Sequence, residues 1–339
     1  MAKRFWKIRD SIRDSLMSSL AISFFLLVLL VLPFYLNPYL QHVFIMIFLF
    51  AYLGGSWNIL GGFAGQFSFG HSLFFGLGAY TSTILFIKFG ITPWVGLLLG
   101  GLLGMGIGLF TGYLSFRYGL RGYFFALVML GFAEVARVIT VNIKITGGAD
   151  GLLVPLKGNA PHLFQFTEKI FYYYIALALM VGMILICYQI KKSRLGYFFG
   201  CIREDEVAAS VLGIKTFRCK MIAMAISAFL TAMGGTFYSQ YMLFIDPDSV
   251  FGAQVSVEIL LQPIIGGVGT IFGPVVGSFF LAPITEITRS LLQAYSGAYL
   301  LGYGIVLILV IMFLPHGLMG GLESLFRRLF PKTSLKEVP

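Results

Sequence analysis

The sequence predicts an all-α integral membrane protein: a polytopic helical bundle with about nine or ten transmembrane segments, one of them short or broken. Three observations lead there. Hydrophobic residues make up 58% of the chain and charged residues only 11%, a balance that no water-facing surface accommodates. Apolar runs of about 20 residues, long enough to cross a hydrocarbon core as a helix, recur from end to end. The basic residues, which bring the net charge to +10, gather beside alternate ends of those runs as the positive-inside rule expects. They do not form the folded basic stripe that would meet nucleic acid.

The segment 1–16, "MAKRFWKIRDSIRDSL", is basic and is expected in the cytoplasm. A long apolar run follows, and "LPFYLNPYL" stands where a signal peptide would carry small residues for cleavage. An uncleaved first helix is therefore expected. Candidate spans fall at 17–36, 40–60, 70–89, 93–115, 120–140, 168–190, 219–242, 271–292 and 296–314. The run 253–267, "AQVSVEILLQPIIGG", is too short to cross comfortably and carries Glu258, Gln262 and Pro263. It reads as a short or broken helix sheltered by protein. If it crosses, 18 of the 24 Lys and Arg residues fall inside, and the tail 315–339 joins the N-terminus in the cytoplasm. If it is re-entrant, the tail emerges outside against its own basic residues. The membrane domain is expected over 17–314, with an outer loop at 141–167 and an inner loop at 191–218.

Glycine recurs at every fourth position in "WVGLLLGGLLGMGIGLFTG": Gly96, Gly100, Gly104, Gly108 and Gly112. On a helix this makes a continuous groove of bare backbone. Lipid gives no hydrophobic drive for helix association, so close backbone approach must supply it. A second ladder, Gly269, Gly273 and Gly277, follows the short segment and either packs it or hinges it. In "GGFAGQFSFGHSLFFGLGAY" a tight turn explains several glycines. It explains less well why Gln66, Ser68 and His71 lie near membrane depth, so these three are candidates for the translocation path. No second histidine lies nearby and Cys187, Cys201 and Cys219 have no ligand spacing, which excludes a metal site from this reading.

Ionisable residues within spans are costly and face a partner or a wet cavity. Glu134 and Arg137 stand three apart, as do Glu286 and Arg289, a spacing that allows pairing on one helix face. Glu258 has no such neighbour in sequence and, with Gln262, joins the path candidates.

"GCIREDEVAASVLGI", residues 200–214, is a compact polar stretch between apolar runs. It reads as a short inner helix that begins at Glu204, Asp205 and Glu206, where acids complement the helix dipole, and stops at Gly213. A helix of this length needs something to dock against.

Five blocks then carry a family resemblance: "GGFAGQFSFGHSLFFGLGAYTS", "LRGYFFALVMLGFAEVARVI", "TGGADGL", "GCIREDEVAASVLGIKTFRCKMIAMAISAFLTAMGG" and "GGVGTIFGPVVGS". In this order and spacing the chain resembles, from about Gly54 to Gly320, the M-type permease subunit of the high-affinity branched-chain amino acid importers, which are ATP-binding-cassette transporters. The resemblance implies that Arg203, Glu204, Asp205, Glu206, Val207, Ala208, Ala209, Leu212 and Gly213 form a coupling segment that docks on an ATPase subunit. It further implies a second homologous permease subunit, two cytoplasmic ATPase subunits, an extracytoplasmic substrate-binding protein and a place in the cell inner membrane. Gln262 and Pro263 depart from the more apolar run expected of that family, and importers of urea and short-chain amides share much of the framework, so the substrate stays open between these classes. The residues themselves agree with divided labour, because no G-x-x-x-x-G-K-[ST] loop is present to cradle ATP phosphates. A self-contained secondary transporter is the alternative. A membrane enzyme finds no nucleophile elbow or ligand cluster.

Overall fold

The computed structural model describes residues 24–156 and 158–291, together with Gly304 and Leu318. The terminal segment 1–16, the span expected at 296–314 apart from Gly304, and the tail 315–339 apart from Leu318 lie outside the described residues. The chain is helical almost throughout. A short apolar helix α1 (Phe24–Phe34) leads to α2 (Pro38–Asn58), whose last turn widens into a π-helical turn at Ile59–Phe63. There follow α3 (His71–Phe89), α4 (Pro93–Arg117), α5 (Gly122–Asn142) and α6 (Lys169–Lys192). Two short helices, α7 (Arg194–Glu204) and α8 (Glu206–Val211), precede the long α9 (Thr216–Met242). The described chain closes with α10 (Pro247–Phe251), α11 (Ala253–Gly266) and α12 (Gly273–Leu291). Among the described residues, seven helical segments are long and apolar enough to cross a membrane, and α10 with α11 counts as one of them.

The bundle has two distinct ends. At one, β1 (Leu152–Leu153) pairs antiparallel with β2 (Phe244–Ile245), so the 141–167 loop is stitched to the end of α9. At the other lie α7 and α8. The segment expected to be short or broken runs between these ends in two pieces. Asp246 caps α10 through a capping box, Gly252 leaves the helix at φ −54° and ψ 145°, and α11 continues until Gly267. Its far end lies beside α7, where Gly269 faces Arg203, and by length and composition it is one of the candidate spans.

α2 is the most enclosed of the seven spans, whereas α5 turns most of its surface outward. The enclosure of α2 follows from its neighbours. It packs against α6, α9, α11 and α12. Polar side chains tie it to them: the Tyr52 hydroxyl donates to the Leu230 carbonyl on α9 at 2.7 Å, and Ser278 Oγ on α12 donates to the Ile47 carbonyl at 2.6 Å.

The glycine ladder of α4 faces α3 and α9. A methyl group at Gly104 would come within 2.6 Å of Ala232 Cβ, and one at Gly108 within 2.6 Å of Ala228 Cβ. Gly100 meets Gly78 of α3 and Thr236 of α9, Gly96 meets Ser82, and Gly112 meets Met224. α3 and α9 contribute glycines of their own, since a methyl at Gly235 would collide with the Phe75 carbonyl. Three helices thus meet backbone to backbone, where dispersion over short distances replaces the missing hydrophobic drive. The second ladder joins α11 to α12: Gly277 faces the Gln262 carbonyl and Gly266 faces Gly273. Gly106, by contrast, has open space where its side chain would be. Gly104→Leu is expected to cost about 1–3 kcal/mol or more through overpacking and to lower the thermal midpoint in detergent. Gly106→Leu on the same helix should leave that midpoint unchanged.

Candidate functional site

The polar stretch 200–214 is two helices, not the single one expected. α7 already contains Arg203 and Glu204. Asp205 then takes an extended conformation, φ −155° and ψ 112°, and its carboxylate accepts from the backbone N–H groups of Val207 and Ala208 at 2.7 and 3.0 Å. An aspartate so placed ends one helix and caps the next, which is why the helix expected to begin at Glu204 starts at Glu206 instead. Gly213 ends the second piece in the left-handed region, φ 84°, as the sequence suggests.

The acids divide by role. Glu206 turns inward: its carboxylate meets Lys220 Nζ of α9 at 2.6 Å and Arg121 Nε at 3.2 Å. Lys220 is buried and also lies over the Phe116 ring at 4.7 Å. Glu204 stays exposed, paired with Arg203 at 3.0 Å. Ala209 is buried against the bundle, while Val207, Val211 and Leu212 stand 57%, 82% and 77% exposed. These three apolar side chains form an outward ridge held at a fixed height by the inward ion pair. Beside the ridge, Tyr197, Cys201, Ala208 and Leu212 line an open groove of about 550 Å³ between α7 and α8. Val211 is absent from the set drawn from the sequence, although its place four residues after Val207 puts both on one helix face.

A second feature lies toward the β1–β2 end. A cavity of about 480 Å³ is walled by Met46, Leu49 and Phe50 of α2 on one side, and by Asp246, Asp248 and Glu258 on the other. Gln254 donates to Glu258 Oε1 at 3.0 Å, one turn away on α11. The expected Glu134–Arg137 pair is present, with Arg137 Nε 3.0 Å from both carboxylate oxygens. The guanidinium also reaches Asp248 at 2.6 Å, so it links α5 to the rim of this cavity. Glu286 approaches His42 Nε2 at 3.5 Å, and the Arg289 side chain lies outside the described residues. An apolar wall facing carboxylates suits a small solute with a cationic group at one end and an apolar group at the other.

Of the five path candidates, only Glu258 lines this cavity. Gln66, Ser68 and His71 gather instead where α2 passes into α3. His71 Nε2 meets Ser227 Oγ at 2.8 Å, and that hydroxyl donates to the Ser56 carbonyl at 2.7 Å. The Ser68 carbonyl accepts from Trp57 Nε1 at 2.8 Å, and Gln66 donates to the Ala64 carbonyl at 3.2 Å. Gln262 is buried on α11 and donates to the Glu258 carbonyl at 3.0 Å.

Comparison with known proteins agrees with this architecture. The family model for the permease component of branched-chain amino acid transport systems matches residues 39–314. The chain belongs to that family. It is 29% identical over 300 residues to the high-affinity branched-chain amino acid transport system permease protein LivM of Salmonella typhimurium, covering 81% of this chain and 68% of that one. The Escherichia coli LivM is 28% identical over 297 residues, covering 80% and 68%. A second kind of permease, LivH of Escherichia coli, is 27% identical over 146 residues, covering 43% and 46%. No solved structure matches the chain.

Within this permease the buried Glu206–Lys220 pair is the anchor of α8. Removing one partner of a buried pair strands the other charge and typically costs about 3–5 kcal/mol. Lys220→Ala leaves Glu206 with Arg121 alone, so about 3 kcal/mol is expected, read as a lower thermal midpoint and faster tryptic cleavage in the 191–218 loop. The double variant Glu206→Leu with Lys220→Met should recover most of that loss, since similar-sized apolar pairs replace buried ion pairs at little cost.

Proposed function

We propose that this chain is the path-forming subunit of an ATP-binding-cassette importer for branched-chain amino acids, with α8 as the element that meets a separate ATPase subunit in the cytoplasm. The observation that carries the reading is the outward ridge of Val207, Val211 and Leu212 on a helix clamped by Glu206, in a chain with no nucleotide-binding loop. A ridge so clamped can be pushed without collapsing. Family membership supports the substrate class, because the LivM and LivH relatives are named for branched-chain amino acid transport. The likeness to both LivM and LivH supports a second permease of similar design beside this one. Both termini are assigned to the cytoplasm: many basic residues lie on and around α7 and α8, which supports that orientation under the positive-inside rule, and the assignment takes α10–α11 as one crossing.

In this reading the cavity beside Glu258 is part of the route. The solute's ammonium group faces Glu258 and its apolar side chain lies along Met46 and Leu49. The external binding protein supplies affinity, so the cavity itself holds the solute weakly and transiently.

Reconstituted with its companion chains, the assembly should accumulate leucine only with ATP, and the isolated chain should accumulate none. Uphill uptake by the isolated chain would overturn the proposal in favour of a secondary transporter. Val211→Asp with Leu212→Asp should abolish co-purification of the ATPase subunit while the thermal midpoint holds. Glu258→Gln should lower leucine uptake several-fold with the assembly intact.

A further inference from the structure

The geometry points to Arg203 as a positioning residue that carries motion from α8 into the path-lining helix α11. The family resemblance groups it with the residues that touch the ATPase. Its side chain instead reaches into the bundle. Nη1 donates to the Gly62 carbonyl at 3.2 Å, inside the π-helical turn that ends α2. A π turn carries one residue too many for the α-helical ladder and is frequent at functional sites.

Two glycines make room for this arginine. At Gly65 a side chain would begin 2.9 Å from Arg203 Cγ and 3.0 Å from its Cα, and at Gly269 it would begin 2.5 Å from Nη1. Both glycines have positive φ, 69° and 75°, a conformation that L residues with side chains rarely adopt. The notch is therefore formed by two turns that tolerate no substituent: the exit of α2 and the link from α11 to α12. Asn58 binds the same two turns independently. Its Oδ1 accepts from the Gly269 N–H at 2.9 Å and its Nδ2 donates to the Thr270 carbonyl at 2.8 Å.

The connection then continues up α11. A methyl at Gly54 on α2 would lie 2.8 Å from Gln262 Cβ and 3.1 Å from Pro263 Cδ, so α2 and α11 are in close register near this turn. Glu258 stands one helical turn beyond Gln262 and lines the cavity. At the other end, Arg203 is separated from α8 only by Glu204 and the Asp205 cap. A displacement of α8 rotates the end of α7, and the guanidinium passes that rotation to the π turn and to the α11–α12 link together. The inference rests on the reading that α8 meets an ATPase subunit.

The test uses the full complex in liposomes, in a background with Cys187, Cys201 and Cys219 replaced by alanine and a single thiol introduced by Gln254→Cys. Three quantities are read, each relative to the Gln254→Cys background with Arg203 intact: retained ATPase subunit, leucine taken up per ATP hydrolysed, and the change in alkylation rate of the introduced thiol on adding ATP. Arg203→Ala is expected to keep the ATPase subunit, lower uptake per ATP at least tenfold and abolish the alkylation response. Arg203→Lys, which keeps one donor for the Gly62 carbonyl, is expected to restore at least half of that response. Should Arg203→Ala fail to fold, Arg203→Gln is read by the same criteria. Loss of the ATPase subunit from an otherwise folded variant would make Arg203 a docking residue and overturn the inference. Normal uptake per ATP would overturn it as well. Failure of the unaltered chain to bind any ATPase subunit would instead remove the docking reading on which it stands.

Discussion

Backbone that leaves the helical ladder inside a membrane has to find its hydrogen bonds within the protein, because lipid offers none. The exit of α2 is where this chain meets that constraint most heavily. Around the π turn at Ile59–Phe63 and the irregular run to Gly70, four groups bind backbone atoms of the exit itself or of the link beside it. Trp57 reaches forward to the Ser68 carbonyl, and the Gln66 N–H returns to the Leu60 carbonyl at 3.0 Å. Arg203 arrives from α7 and Asn58 reaches out to the α11–α12 link. The enclosure of α2 by α6, α9, α11 and α12 is what keeps this irregular stretch away from lipid.

Around that exit the helices fall into two kinds of contact. α3, α4 and α9 meet through glycine and alanine at distances where one added methyl would collide. Such contacts have little slack, because a close-packed interface loses dispersion rapidly as it opens. α10 and α11 differ in being interrupted: the helix breaks at Gly252 and carries Pro263, while α11 still packs closely on α2 at Gly54 and on α12 through Gly266 and Gly277. This division suits a transporter: a tight trio provides a frame, and a segmented helix next to the cavity can change its angle.

The charged groups show how few ions such a frame admits and how each is employed. Glu206, Lys220 and Arg121 fasten α8 to the bundle. Glu134, Arg137 and Asp248 fasten α5 to α10 at the cavity rim. In each cluster a carboxylate that would be costly alone is matched by a cation from a different element. Apart from Ser210, the exposed surface of α8 is left to apolar side chains, which suit contact with another protein surface.

The sequence by itself determined the class of the molecule, most of its spans, the glycine ladder on α4 and the interruption near residue 253. These depend on local periodicity, on apolar content and on the absence of side chains at regular spacing, all of which are written along the chain. It also singled out 200–214 as a candidate docking element, because acids and a terminal glycine mark a short helix wherever they stand. Only the tertiary structure decided which way each polar side chain turns. Glu206 and Glu204 are two residues apart and look alike in sequence, yet one meets Lys220 and the other meets solvent. Arg203 pairs with a carbonyl 141 positions away, and Asn58 with an amide 211 positions away. Such partnerships are set by how helices cross, and helix crossing is fixed by packing between distant segments that no local pattern encodes.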